Sequence, residues 1–280
     1  VTDGPNIDLH THSNCSDGVL QPAALVERAA AAGVQVLALT DHDTMAGLDE
    51  AGRRSAEIGL RLIPGVEISC AWRAQSIHVL GLWIDPEHAP LRVALASQAA
   101  RRSVRMREIC RHLTAIGLPG AELLAAVEAQ PGIATRAHLA AAMVARGHAA
   151  SVDAVFRKYL GRGKAAHLAV DWPALDCVIG WVVAAGGVAT LAHPARYKLS
   201  ASGRRQLLTD FVAAGGSAIE VVSGGNAAHN MESSARWACS YGLAGSVGSD
   251  FHDPQLSWNP LGRLAKLPDG VTPVWRNRLV

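Results

Sequence analysis

The sequence predicts an α/β fold: a mainly parallel sheet of seven strands that closes, or nearly closes, into a β/α barrel carrying a helical insertion. Three observations predict it. Seven short β-rich runs are spread along the chain, and helical patterns separate many of them. Between them lies one long stretch, about residues 87–170, that is rich in Ala, Arg and Leu and offers no convincing strand. Alternation of strand and helix implies parallel pairing with helices packed outside the sheet. A length of 280 residues suits one large domain or a domain with a substantial insertion. With 49% hydrophobic and 18% charged residues, the chain can bury a sizeable core.

In chain order the strand candidates are Asn6–His10, Val34–Thr40, Arg61–Ile68, Ile77–Ile84, Val188–Ala192, Ser217–Val222 and Ala244–Ser249. Pro22–Ala32 and Thr44–Gly59 read as helices that stop at a glycine, the residue best suited to a helix C-cap. Asp176–Ala185 stops at Gly186 and Gly203–Ala214 at Gly215 in the same way. The barrel therefore comprises residues 6–86 and 171–280, and residues 87–170 form a helical insertion between two of its strands. Four prolines, Pro254, Pro260, Pro268 and Pro273, mark the tail after Asp253 as an irregular strap.

A net charge of +2 does not call for nucleic acid as a partner, so attraction for anions must come from a local site. The five cysteines, Cys15, Cys70, Cys110, Cys177 and Cys239, are odd in number and widely spaced, which disfavours a disulfide framework. No basic segment followed by an apolar one opens the chain, and no apolar run is long enough for a bilayer. A cytoplasmic protein with no membrane association and no obligate protein partner is the expectation.

Residues that bind metal recur at the strand ends. Asp8-Leu9-His10-Thr11-His12-Ser13 puts two imidazoles on one face of a strand, where His10 and His12 can grip one ion. Ser16-Asp17-Gly18 adds a carboxylate on a tight turn. Thr40-Asp41-His42-Asp43-Thr44 closes the second strand, Gly65-Val66-Glu67 the third, His193 the fifth and Asp250-Phe251-His252 the seventh, with His78 on the fourth. Any one of these has a bland explanation as a surface or core residue. Their joint recurrence where barrel strands converge on one mouth does not. Asp41 is expected to orient a ligand histidine, Asp43 to cap the following helix, and Cys15 to be a bystander.

These motifs, from Asp8 to about His252, resemble those of the PHP (polymerase and histidinol phosphatase) metallophosphoesterases, whose fold is a distorted seven-stranded β/α barrel. The resemblance implies a ligand set. His10, His12, Glu67 and Asp250 would hold one divalent ion. Glu67, His78 and His193 would hold a second, and Asp17, His42 and His252 a third. Two or three ions are thus implied, manganese foremost, with iron or zinc also compatible with mixed nitrogen and oxygen ligands. Three divalent ions carry more positive charge than Asp17, Glu67 and Asp250 return, so an anion should complete the site. Proton transfer to the leaving group falls to His252, His42 or a water, with Asp17 beside them.

The insertion supplies cations for phosphate. Arg102 and Arg105 share a helix face, with Gln98 one turn earlier. Thr135 and Arg136 open a helix at Ala134-Thr135-Arg136-Ala137-His138. Lys164 is a further candidate, and His252 could reach the same phosphate. Asn226 and His229, after the sixth strand, could touch a base but read more simply as an ordinary turn. Within the family, Ile133–His138 and His193–Ser200 are similar to the branch acting on nucleoside 3′,5′-bisphosphates and short 5′-phosphorylated oligonucleotides. Ala137 and His167 depart from that branch's pattern. The implied reaction removes the 3′-phosphate of a compound such as adenosine 3′,5′-bisphosphate and leaves the 5′-mononucleotide. The alternatives are a 5′–3′ exonuclease on short oligonucleotides, a histidinol-phosphate-type phosphatase, and a structural metal-binding interaction module.

Overall fold

The computed structural model describes residues 4–73, 75–169, 171–225, 227–256 and 260–279. Its seven strands are β1 (Ile7–Asp8), β2 (Val36–Leu39), β3 (Arg61–Trp72), β4 (Gln75–Leu82), β5 (Val188–Leu191), β6 (Ala218–Ser223) and β7 (Ala244–Gly248). They are hydrogen-bonded in sequence order as one sheet. Its two ends meet: Leu9 N–H donates to the Val247 carbonyl at 2.9 Å, and Asp250 N–H to the His10 carbonyl at 2.8 Å. The result is a nearly closed seven-stranded α/β barrel.

Pairing is parallel except around β4, which runs antiparallel to both β3 and β5. No helix separates β3 from β4; a hairpin joins them, with Trp72 paired to Gln75. One strand-end placement is corrected by the observed strands. Glu67 lies in mid-strand, because β3 continues to Trp72 beyond the mouth. His78, the fourth of eight residues in β4, reaches the mouth from the first half of its strand, because β4 runs antiparallel to β3.

Helices α1 (Pro22–Ala31) and α2 (Leu48–Ile58) cover the first strands. Proline at the first position suits α1, which turns Leu25, Val26 and Ala29 inward. A left-handed Gly59 (φ 72°) ends α2. The insertion holds α3 (Ala89–Ala115), α4 (Gly120–Glu128), α5 (Arg136–Ala145) and α6 (Val152–Val155), the last continuing into a π-helical turn, Phe156–Leu160. Met106, Ile109, Leu113, Leu123, Leu139 and Met143 belong to a core of its own. The first turns of α3 instead send Leu91 and Leu95 into the barrel core, so one helix is anchored in both.

After the insertion come α7 (Leu175–Ala184), α8 (Ala201–Ala213) and α9 (Ala228–Tyr241). The sequence pattern did not single out α9, because its inward face is made of the small residues Ser234, Ala235 and Ala238 and shows no apolar stripe. The tail is a strap: Val274 N–H donates to the Gly245 carbonyl, and Arg61 holds the Arg278 and Leu279 carbonyls. All five cysteines are free thiols. Among the described residues, no helix is long and apolar enough to cross a membrane.

Candidate metal centre

At the barrel mouth the side-chain donors converge on one another. His10 Nε2 and His12 Nε2 each lie 3.3 Å from Glu67 Oε2, and 3.4 and 3.2 Å from Asp250 Oδ1. On the other carboxylate oxygen, Glu67 Oε1 is 2.9 Å from His78 Nδ1 and 3.0 Å from His193 Nε2. His42 Nδ1 reaches Glu67 Oε2 at 3.0 Å. Asp17 Oδ1 lies 3.3 Å from His252 Nε2 and 3.8 Å from His42 Nε2. Glu67, in mid-strand on β3, thus stands at the centre of the whole array.

These residues fit divalent ions. His10 Nε2, His12 Nε2, Asp17 Oδ1, His42 Nδ1 and Glu67 Oε2 are buried and have no hydrogen-bond partner. Stripping water from such atoms costs free energy unless something replaces it, and a cation does so for all of them at once. The candidate sets are His10–His12–Glu67–Asp250, His42–Glu67–His78 and His12–Asp17–His42–His252. The first contains the same four residues as the set that the family resemblance implies. In the others His42 and His12 stand near more than one ion position, and His193 reaches Glu67 from the far side.

Electrostatics prepares the donors. Burial opposes charge on Glu67, but the imidazoles of His42, His10 and His78 hold its carboxyl well below the usual carboxylate range. Asp250 is held low against burial by His10 and His252, and Asp17 by His42 and His252. Burial, then neighbouring His252, pushes His12 down to about 3, so it presents the neutral imidazole that ligates metals. His252 Nδ1 lies 2.8 Å from the Asp250 carbonyl, which can only accept; the ring proton sits there and Nε2 is left to face Asp17. His193 (φ 30°) and Asp250 (φ 55°) occupy left-handed backbone that costs free energy for non-glycine residues, strain concentrated at the site.

Asp41 and Asp43 do other work than expected. Asp41 accepts from Ser13 N–H, Ser13 Oγ and Ser16 Oγ at 2.6–2.7 Å, and so ties down the loop that carries Asp17 rather than a histidine. Asp43 caps no helix, since α2 begins beyond Gly47. It accepts from Ser69 N–H and pairs with Arg102 at 2.7 Å, both partners buried. Two residues that sequence reasoning missed lie behind the ligands. Glu220, fully buried on β6, faces His10 and His193. Arg196 pairs with Asp250 and donates to the Gly224 carbonyl at 2.7 Å. A lone carboxylate inside the apolar run Ala218–Val222 was the available signal for Glu220.

The insertion walls a cleft beside this array, lined among others by Asp17, His42, His78, Arg102, Arg105, Thr135 and Arg136. Arg102 spends its guanidinium on Asp43 and Ser69 Oγ, with Gln98 buried behind it. Among the described residues, no carboxylate pairs with Arg105 or Arg136, which bring charge to the cleft. Burial, then Arg136 and Arg102, pushes Arg105 down to about 9. Arg136 is lowered by burial and by Arg102. Arg105 Nε is buried without a partner. Such a cluster calls for an anion. Thr135 caps α5 by accepting from His138 N–H and keeps its own proton for the cleft. Lys164 is exposed and does not line this cleft, His229 is exposed, and Asn226 lies outside the described residues.

The sequence matches the PHP domain family over residues 8–161. It is 45% identical to a 5′-3′ exoribonuclease of Haemophilus influenzae, covering 96% of this chain and 97% of that protein. It is 40% identical to a 3′,5′-nucleoside bisphosphate phosphatase of Chromobacterium violaceum, covering 97% and 95%. A solved structure from Chromobacterium violaceum, described as an amidohydrolase with bound sulfate and no metal, superimposes with a TM-score of 0.91 at 39% identity, covering 97% of this chain and 95% of that one. Sequence, barrel and donor array agree: the chain belongs to the PHP domain family.

Proposed function

We propose that this chain is a divalent-metal-dependent hydrolase that removes the 3′-phosphate from nucleoside 3′,5′-bisphosphates and releases a 5′-mononucleotide. The observation that carries the proposal is one cleft lined at one side by Asp17, His42 and His78 and at the other by Arg105 and Arg136. A substrate with one phosphate at each end meets both.

Three manganese ions are proposed, held by His10, His12, Glu67 and Asp250; by Glu67, His78 and His193; and by Asp17, His42 and His252. When bound, such ions supply Lewis-acid charge at the phosphoryl group and a water acidic enough to attack at neutral pH. The chain's own residues do the rest. Arg105 and Arg136 hold the 5′-phosphate, Thr135 donates its hydroxyl to it, and Arg102 keeps the wall of the cleft in place through Asp43. His42 lines the cleft beside Asp17, and His252 Nε2 lies 3.3 Å from the same carboxylate; with both rings assigned to an ion, the departing ribose oxygen takes its proton from a water. Free thiols at all five cysteines fit a reducing compartment such as the cytoplasm.

Phosphate release from adenosine 3′,5′-bisphosphate, 3′-AMP, 5′-AMP and histidinol phosphate, with Mn²⁺ supplied, tests the proposal. Preference for the bisphosphate with accumulation of 5′-AMP is the expected result. Equal use of 3′-AMP, or preference for histidinol phosphate, would remove the arginine clamp from the account. A second reading uses the same machinery on a 5′-phosphorylated oligonucleotide and cuts the first 3′-linkage. The 45% identity to an exoribonuclease favours it, and release of 5′-mononucleotides from a trinucleotide would show both activities.

A further inference from the structure

We infer that Glu220 is a positioning residue whose single carboxylate ties two of the candidate ion sites together, an inference that rests on the metal centre of the proposed function. Glu220 is fully buried in mid-β6. Its Oε1 lies 3.1 Å from His10 Nδ1, and its Oε2 accepts from His193 N–H at 2.6 Å. A carboxylate can only accept, so it places the His10 ring proton on Nδ1. His10 Nε2, aimed at Glu67 and Asp250, is left as the free lone pair a metal needs. The other oxygen pins the backbone of His193, which is held at φ 30°. One side chain thus sets the proton position of a ligand in the first set and the strained main chain of a ligand in the second.

The fold makes room for this pair. The register of β6 against β7 shifts between Glu220 and Val222, an irregularity of the kind that re-aims a side chain beside a site. At the end of β7, Gly248 has no side chain; a Cβ there would collide with the His10 Cβ and crowd Glu220 Oε1. Glutamine at position 220 keeps the shape but offers one acceptor and one donor. If its oxygen faces His193, its amide faces His10 Nδ1 and drives the ring proton to Nε2, blocking the ligand atom. If its oxygen faces His10, donor meets donor at His193 and the strained backbone is released.

The test is Mn²⁺ titration of wild type and Glu220→Gln, with occupancy at each ligand set read by anomalous diffraction at limiting Mn²⁺. Affinity at the His10 set, the His193 set or both should fall roughly 10- to 100-fold, while the Asp17–His42–His252 set still fills. Unchanged occupancy at the first two sets, or equal loss at all three, overturns the inference. If wild type itself takes up no Mn²⁺, the metal reading fails instead. Should Glu220→Gln not fold, Glu220→Asp keeps the carboxylate but withdraws it from His10 Nδ1 and His193 N–H; loss at the same sets is expected, and full occupancy would overturn the inference.

Discussion

Arg105 is a half-buried guanidinium with a buried, unpartnered Nε and two arginine neighbours, a combination that is costly without an anion. Arg105→Ala should therefore lose a charge-assisted interaction worth ~1.5–3 kcal/mol, or roughly 10- to 150-fold in kcat/KM for the bisphosphate. The loss on a simple monophosphate ester should be smaller, and steady-state kinetics on both substrates compares them. Asp43 makes the opposite case. Asp43→Asn keeps a residue that tolerates the left-handed backbone at φ 49°, but it leaves Arg102 buried without its counter-charge. Stability should fall by about 3–5 kcal/mol, measurable by urea denaturation. The candidate ligands were legible jointly rather than one by one, because histidines and carboxylates recur beside apolar strands where these converge. The partners of Asp41 and Asp43 were not: whether a carboxylate caps a helix or pairs with an arginine far along the chain depends on packing that spacing does not encode.

At the scale of elements, the insertion must register its arginines against the barrel, and one contact does so at short range. Ile133 N–H donates to the Cys15 carbonyl at 3.0 Å, and Gly132 (φ 79°) packs so closely that a Cβ would strike the same carbonyl. Gly132→Ala should push the Thr135–Arg136 turn away from the Asp17 loop. KM for the bisphosphate should rise several-fold while metal content, measured by mass spectrometry, stays at the wild-type level. A KM at the wild-type value would show that this contact does not set the clamp. The strands and most helices were readable from apolar runs and terminal glycines such as Gly59. The direction of β4 was not, because an antiparallel strand buried among apolar neighbours has the same composition as a parallel one. His78 therefore reaches the mouth from the first half of its strand.

For the whole molecule, the donor array joins β3, β4 and the segments that follow β1, β2, β5 and β7. Ions bound there bridge most of the barrel and act only on the folded state. The melting temperature should fall on treatment with EDTA and rise with added Mn²⁺ in a concentration-dependent way; a melt indifferent to both would contradict a metal centre at this mouth. In the proposed function, metal array and arginine cluster grip the two ends of one substrate. The most direct measurement is a crystal structure of the Mn²⁺-loaded protein with 5′-AMP and inorganic phosphate. The account predicts the nucleotide's 5′-phosphate on Arg105 and Arg136 and the free phosphate at the ions among Asp17, His42 and His252. A 5′-phosphate seated on the ions, with the arginines turned away, would contradict it.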